Sequence, residues 1–84
     1  MRNMNILATN ALKKVTTDKH YSASVRVDFD STWTYRICIA YRDVVLHEQD
    51  VVITETTQEE IEKKFFDMIH SVIIKEGSAL FRIQ

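Results

Sequence analysis

The sequence contains no proline and one glycine, Gly77, among its 84 residues. Phosphate-binding loops of the usual kinds need several glycines, so this composition excludes them. Flexible linkers and low-complexity tracts are also missing, which predicts a single compact domain over residues 1–84. A domain of this size buries about 60–65% of the surface of its unfolded chain, which leaves little interior for a deep substrate cleft.

Cysteine is equally scarce, because Cys38 stands alone. A single cysteine excludes an intramolecular disulfide and a multi-cysteine zinc site, so the chain needs no oxidising compartment. His20, His47 and His70 lack metal-ligand spacing, and no metal site is predicted. No apolar run reaches the roughly 20 residues of a membrane span, and the start lacks a signal-peptide pattern. We therefore expect a cytoplasmic protein with no membrane partner and no cofactor.

The residues of a catalytic site are not recognisable in the sequence. Nucleophilic catalysis needs a nucleophile, a base and an oxyanion donor held together, and no segment supplies them. Cys38 lies in the middle of a predicted strand with no neighbour that would activate its thiol. The many carboxylates are typical of a solvated face. We predict no enzymatic activity and no catalytic residues.

Residues 4–15 have the three- and four-residue apolar spacing of a helix. Asn3 or Asn5 is placed to cap its start, and Thr16 to Asp18 mark its end. The apolar stripe is predicted to pack in the core and consists of Met4, Leu7, Ala8, Ala11, Leu12 and Val15.

A second, longer helix is predicted after Thr56 or Thr57. Each threonine is followed three residues later by a glutamate, which is the pattern of a capping box. Gly77 is the expected C-terminal cap. The buried stripe of this helix is predicted to be Ile61, Phe65, Met68, Ile69, Val72 and Ile73.

Between the helices the apolar spacing changes to two residues, as in strands with one covered face. From Tyr21 and from Trp33 onward, odd-numbered positions are apolar and even-numbered ones are mostly polar. A hairpin of these strands must pair residues whose numbers sum to an even value, and one such register places Asp28 opposite Arg36. The apolar face of the second strand should contact the long helix through Trp33, Tyr35, Ile37 and Ile39.

The third strand region, residues 44–54, changes the parity of its apolar positions. A bulge or a short turn near residues 47–50 explains the change, and the lack of glycine favours the bulge. Residues 80–83 are compatible with a short edge strand. The sequence therefore predicts an α+β fold in the order α-β-β-β-α, with a three-stranded antiparallel sheet, both helices on one face and a polar, open second face.

Charge is distributed unevenly along the chain. Residues 1–42 carry seven basic and three acidic side chains, whereas residues 43–84 carry nine acidic and four basic ones. Residues 43–62 contain no lysine or arginine at all. This distribution predicts an acidic side of the molecule.

The element order resembles that of the double-stranded-RNA-binding domain over residues 4–74. That family binds phosphates with lysines at the start of its last helix, where this chain has Thr57, Gln58, Glu59 and Glu60. The family's glycine- and histidine-bearing loop is replaced by residues 30–32. Carboxylates at that position repel phosphate, so the resemblance implies the fold and not the family's contacts with RNA.

The order of helices and strands and the acidic run over residues 43–62 also resemble those of small phage-encoded inhibitors of host defence, the anti-CRISPR proteins among them. Such chains are about this long and combine a short helix, three antiparallel strands and a second helix with an acidic surface. The resemblance implies an inhibitor that presents this surface to the basic nucleic-acid channel of a larger protein.

Our leading hypothesis is a non-catalytic protein-binding module, an inhibitor or adaptor of phage or mobile-element type. The predicted contacts with a basic partner protein are Asp43, Glu48, Asp50, Glu55, Glu59 and Glu60. These acids could instead only keep an edge strand soluble. The alternative function is a small nucleic-acid binder that uses Arg26, Arg36 and Arg42 on the polar sheet face. Homodimerisation is compatible with either function.

Overall fold

The computed structural model of the chain describes residues 4–27 and 33–83, with side chains described as far as Lys75. Its elements, in order, are α1 (Met4–Val15), β1 (Tyr21–Val27), β2 (Thr34–Tyr41), β3 (Val44–Val52) and α2 (Gln58–Ile83). The strands form one antiparallel sheet in the order β1-β2-β3. The predicted α+β fold and element order are confirmed.

Both helices pack on the same face of the sheet, which we call the covered face. The register places Val25 opposite Ile37 and Val51 opposite Tyr35, so these side chains share that face. They join the buried stripes of both helices in a single core, as predicted. The remaining buried members are Leu7, Ala8, Ala11, Leu12, Ile39, Ile53, Ile61, Phe65 and Ile69. The second face carries no helix among the described residues, and we call it the open face.

Of the N-terminal helix caps predicted from the sequence, one is confirmed and one is wrong. Thr57 is the N-cap of α2, because its Oγ1 accepts the backbone N–H of Glu60 at 3.2 Å. The expectation that Asn5 caps α1 is wrong, since the helix already begins at Met4. Asn3, the other predicted cap, lies outside the described residues.

The predictions for residues 77–83 are wrong. The helix passes through Gly77 and continues to Ile83, so Gly77 is not its cap and residues 80–83 form no strand. One glycine costs a helix about 1 kcal/mol relative to alanine, which does not suffice to end it. A short, mostly apolar segment such as 80–83 does not distinguish a strand from a turn of helix.

The register of β1 and β2 has the predicted even sum, but Arg36 lies opposite Arg26 and not Asp28. Asp28 itself belongs to residues 28–32, outside the described part of the chain. Trp33 was expected in the core and is 57% exposed. It lies just before the first residue of β2 and is not a member of the buried core. Its carbonyl oxygen accepts the N–H of Ile53 at 2.9 Å.

The turn between β2 and β3 contains two residues, Arg42 and Asp43, between the pair Tyr41 and Val44. Both have left-handed backbone angles, with φ of 50° and 66°. A type I′ hairpin turn requires this conformation and normally uses glycine or asparagine for it. With other residues it costs roughly 1–2 kcal/mol each. Arg42 therefore belongs to the turn. The prediction that it lies on the polar face of the sheet is wrong.

The bulge in β3 is confirmed, one residue earlier than predicted. Ala40 pairs with Val45 and Ile39 with His47, so Leu46 is the extra residue. Beyond it, odd-numbered residues of β3 share the covered face with Val51. Even-numbered residues, including Glu48 and Asp50, lie on the open face.

Candidate functional site

One backbone group on the free edge of β1 is bound by a side chain of α1. The backbone N–H of Val25 points away from β2 and donates to Oδ1 of Asn5 at 2.7 Å. Asn5 lies in the first turn of α1, so this helix end covers the edge as well as the core. The asparagine oxygen takes the place that the carbonyl of a further strand would occupy.

The free edge of β3 is open over most of its length. The N–H of Ile53 points to β2, and in an antiparallel strand alternate residues point to opposite sides. The backbone groups of Glu48, Asp50 and Val52 therefore point outward. Lys64 donates from Nζ to the carbonyl of Val52 at 2.8 Å and closes that end. No described residue forms a hydrogen bond with the backbone of Glu48 or Asp50 on this side.

The side chains of Glu48 and Asp50 are exposed on the open face, opposite Cys38 and Arg36 of β2. Nε of Arg36 donates to Oδ1 of Asp50 at 2.9 Å, and both side chains are more than half exposed. Such a pair contributes about 0–1 kcal/mol to stability, but it compensates the charge of Asp50. Glu48 forms no ion pair with any described residue. Of the two acids within β3, Asp50 is therefore paired and Glu48 is not paired with a described residue.

Glu55 follows β3 and is bound by Lys64. Nζ of Lys64 donates to both carboxylate oxygens, at 3.1 and 3.0 Å. This hydrogen bond lowers the pKa of the Glu55 carboxyl below its usual value. Since Lys64 also contacts Val52, one ammonium group holds the end of β3 and the loop that follows it.

Glu59 and Glu60 lie exposed in the first turn of α2. The N-terminal end of a helix dipole favours negative charge there. Glu59 also lines an open groove between the two helices, whose other walls are Lys14, Glu62, Lys63 and Phe66. Lys14 and Glu62 form an ion pair that links the helices. The cations beside Glu59 reduce the negative potential of this region.

Asp43 lies at the other end of β3, in the turn. The nine residues of β3 span roughly 30 Å, so Asp43 is far from the acids near α2. The structure therefore does not gather the six predicted acids into one patch. It places them in three groups: the turn, the strand, and the loop with the start of α2.

The three arginines of the alternative hypothesis are also divided. Arg26 and Arg36 lie opposite each other on the open face, and Arg36 is paired with Asp50. The guanidinium of Arg42 lies over the ring of Tyr41, 5.7 Å from its centre. That ring belongs to the covered side of the sheet, where it also contacts Tyr21 at 4.7 Å between ring centres. Burial, followed by the charge of Asp18, raises the pKa of the Tyr21 hydroxyl.

Sequence reasoning missed the roles of three residues in this region: Asn5, Lys64 and Arg36. The Arg36–Asp50 pair could have been found by placing the bulge at Leu46 and counting the register onward. No sequence signal indicates the bonds of Asn5 and Lys64, because both join elements that meet only in the folded chain.

The described part of the chain contains neither a cluster of metal-ligating side chains nor a membrane-spanning helix. No group of three or more metal-ligating side chains occurs within residues 4–27 and 33–83. Neither helix, over its described residues, has an apolar stretch long enough to cross a bilayer. No family model, curated protein or solved structure matches the chain.

Proposed function

We propose that the chain is a non-catalytic protein-binding module that binds a basic surface of a larger protein. The binding surface would be the acidic edge, which comprises Asp43, Glu48, Asp50, Glu55, Glu59 and Glu60. The observation that carries the proposal is Glu48, an exposed carboxylate on an outer strand that forms no ion pair with a described residue. A lysine or arginine of the partner would supply the missing charge-assisted hydrogen bond.

A more specific form of the proposal concerns the partner. Proteins that process nucleic acids have basic channels, and such channels attract an acidic surface at long range. The acidic run and the element order also resemble those of phage inhibitors of the anti-CRISPR type. We therefore infer an inhibitor of phage or mobile-element origin that acts on a host nucleic-acid-processing protein in the host cytoplasm.

The second candidate is a small nucleic-acid-binding protein that uses Arg26, Arg36 and Arg42. It is favoured by the placement of Arg26 directly opposite Arg36 on the open face, since two adjacent cations attract a phosphate. The pairing of Arg36 with Asp50 and the position of Arg42 over Tyr41 weaken this attraction.

The experiment compares Glu48→Lys with Asp67→Lys. Both substitutions change the net charge equally, and Asp67 is exposed on the side of α2 that faces away from the core. Each immobilised protein is exposed to a lysate of the cells in which the chain is made. We expect wild type and Asp67→Lys to capture the same stoichiometric protein, and Glu48→Lys to lose it as thermal stability stays unchanged.

A nucleic-acid column at about 0.15 M salt tests the second candidate. Retention of wild type, abolished by Arg26→Glu with Arg36→Glu and kept in Glu48→Lys, would establish nucleic-acid binding in place of the acidic edge. Capture that is insensitive to Glu48→Lys would contradict the leading proposal.

A further inference from the structure

We propose that the partner contributes an extended segment that adds to the sheet as a fourth strand beside β3. This inference rests on the proposed function and specifies how the partner is bound. In strand addition, backbone hydrogen bonds supply affinity and alternate side chains supply specificity. The acceptor here is the outward row of backbone groups at Glu48 and Asp50.

The available edge has a defined length. It begins after the turn and ends where Lys64 occupies the carbonyl of Val52. The open stretch is therefore residues 45–50, which span roughly 20 Å. On β1, Asn5 already binds the N–H of Val25, so a strand added there would have to displace this side chain.

The negative charges of Glu48 and Asp50 indicate that the added strand comes from a different protein and not from a second copy of this chain. Antiparallel registers that pair two copies of this stretch bring Glu48 and Asp50 of one copy next to those of the other. Like charges directly opposite each other destabilise a strand pair. A foreign strand with a lysine or arginine opposite Glu48 is complementary. Asp50 is already paired with Arg36, so the residue opposite it needs no charge.

The other face of the added strand would meet polar groups. On the covered side, Nε2 of His47 and Oε1 of Gln49 lie 2.6 Å apart, and Gln49 is exposed. These side chains offer hydrogen bonds and no apolar pocket. The structure therefore fits an extended segment in which basic and small polar residues alternate.

The probe is a synthetic peptide of about ten residues in which lysine alternates with threonine, since strand side chains alternate between faces. The control peptide has the same composition with the lysines grouped in one block. Amide hydrogen exchange of the full chain is measured with each. We expect the alternating peptide to slow exchange at Glu48 and Asp50 by more than about tenfold, with Val25 unchanged. Equal binding of both peptides without this protection would overturn strand addition.

A pair of variants separates backbone from charge. Glu48→Ala and Glu48→Pro lose the same carboxylate, but only proline also removes the outward N–H, and it breaks no bond to β2. We expect Glu48→Pro to weaken binding of the alternating peptide about tenfold more than Glu48→Ala. Equal weakening would refute strand addition and leave the charge-based function standing. If Glu48→Pro does not fold, the exchange measurement on wild type decides.

The oligomeric state checks the choice of occupant. Protection at Glu48 and Asp50 that rises with protein concentration in the absence of peptide, together with a dimer in sedimentation, would show that a second copy occupies the edge. A monomer across that concentration range agrees with the proposal.

Discussion

The two edges of the sheet prevent uncontrolled pairing in different ways. At β1, the side chain of Asn5 accepts the N–H of Val25, so one outward group of this edge is already bound. At β3, the groups of Glu48 and Asp50 stay open, and only the far end is held by Lys64. A strand added at β1 would have to displace Asn5, whereas the charge of β3 disfavours only strands of the same charge. This difference is the reason why we propose β3 as the edge that accepts a partner.

The largest expected loss of stability comes from a substitution in the core that supports both edges of the sheet. Phe65→Ala should cost about 3–5 kcal/mol, because the ring is fully buried in the core. Phe66→Ala, at a half-buried position on the next residue, should cost clearly less. Urea denaturation followed by exchange at Val25 and Val51 measures both variants. Separate unfolding of the two edges would contradict a single cooperative core.

The next largest loss of stability comes from removing the side chain that binds the β1 edge. Asn5→Ala leaves the N–H of Val25 without its acceptor and should cost about 1–2 kcal/mol. Asn10→Ala gains the same helix propensity at an exposed position of α1 and is the control. Chemical denaturation and the exchange rate at Val25 report the change. An unchanged exchange rate at Val25 would show that Asn5 does not close this edge.

A smaller effect, of opposite sign, concerns the turn that leads into β3. Asp43→Gly should raise stability by about 1 kcal/mol, because glycine adopts the left-handed conformation without steric cost. For a domain of this size, this corresponds to about 4–8 °C in the melting temperature. Arg42→Gly should gain less, since it also loses the contact with Tyr41. A melting temperature lowered by Asp43→Gly would contradict strain at this position.

The smallest effect concerns the closed end of β3 and depends on pH. The pKa of Glu55 is lower in the folded chain than its usual value, because Lys64 binds the carboxylate. Its contribution to stability is therefore present above the unfolded pKa and is lost as the pH falls through the folded pKa. Lys64→Met should lose less stability than wild type between neutral pH and about pH 3, whereas Lys63→Met should behave like wild type. Urea midpoints at both pH values measure this difference, and equal losses in all three proteins would contradict the Glu55–Lys64 contact.

Much of the fold could be predicted because it depends on local periodicity. The alternation in β1 and β2 and the stripe of α2 each follow from the geometry of one element. Trp33 continues the alternation of β2, but periodicity does not tell where the covering helices end. Gly77 resembles a cap, although the cost of one glycine is small against the hydrogen bonds of a continuing helix.

The candidate site was less predictable, because charge along a sequence does not show which charges are paired. The acidic run contains Asp50 and Glu55, which the fold pairs with Arg36 and Lys64 from other elements. Only tertiary structure distinguishes these acids from Glu48. The open backbone of β3 has no sequence signature at all, since every residue carries the same N–H and C=O groups.

Leu46 determines which side of β3 is acidic. An unbroken strand continuing from the pair Tyr41 and Val44 would place Glu48 opposite Ile37, beneath the helices. The extra residue shifts the pairing register of the rest of β3 by one position, and the bulge absorbs this shift. Deleting Leu46 would therefore leave a regular ladder with Glu48 still opposite Cys38, whereas straightening the bulge with Leu46 in place would exchange the charged and apolar sides. The bulge allows β3 to carry one residue more than β2 needs while its acidic side stays on the open face.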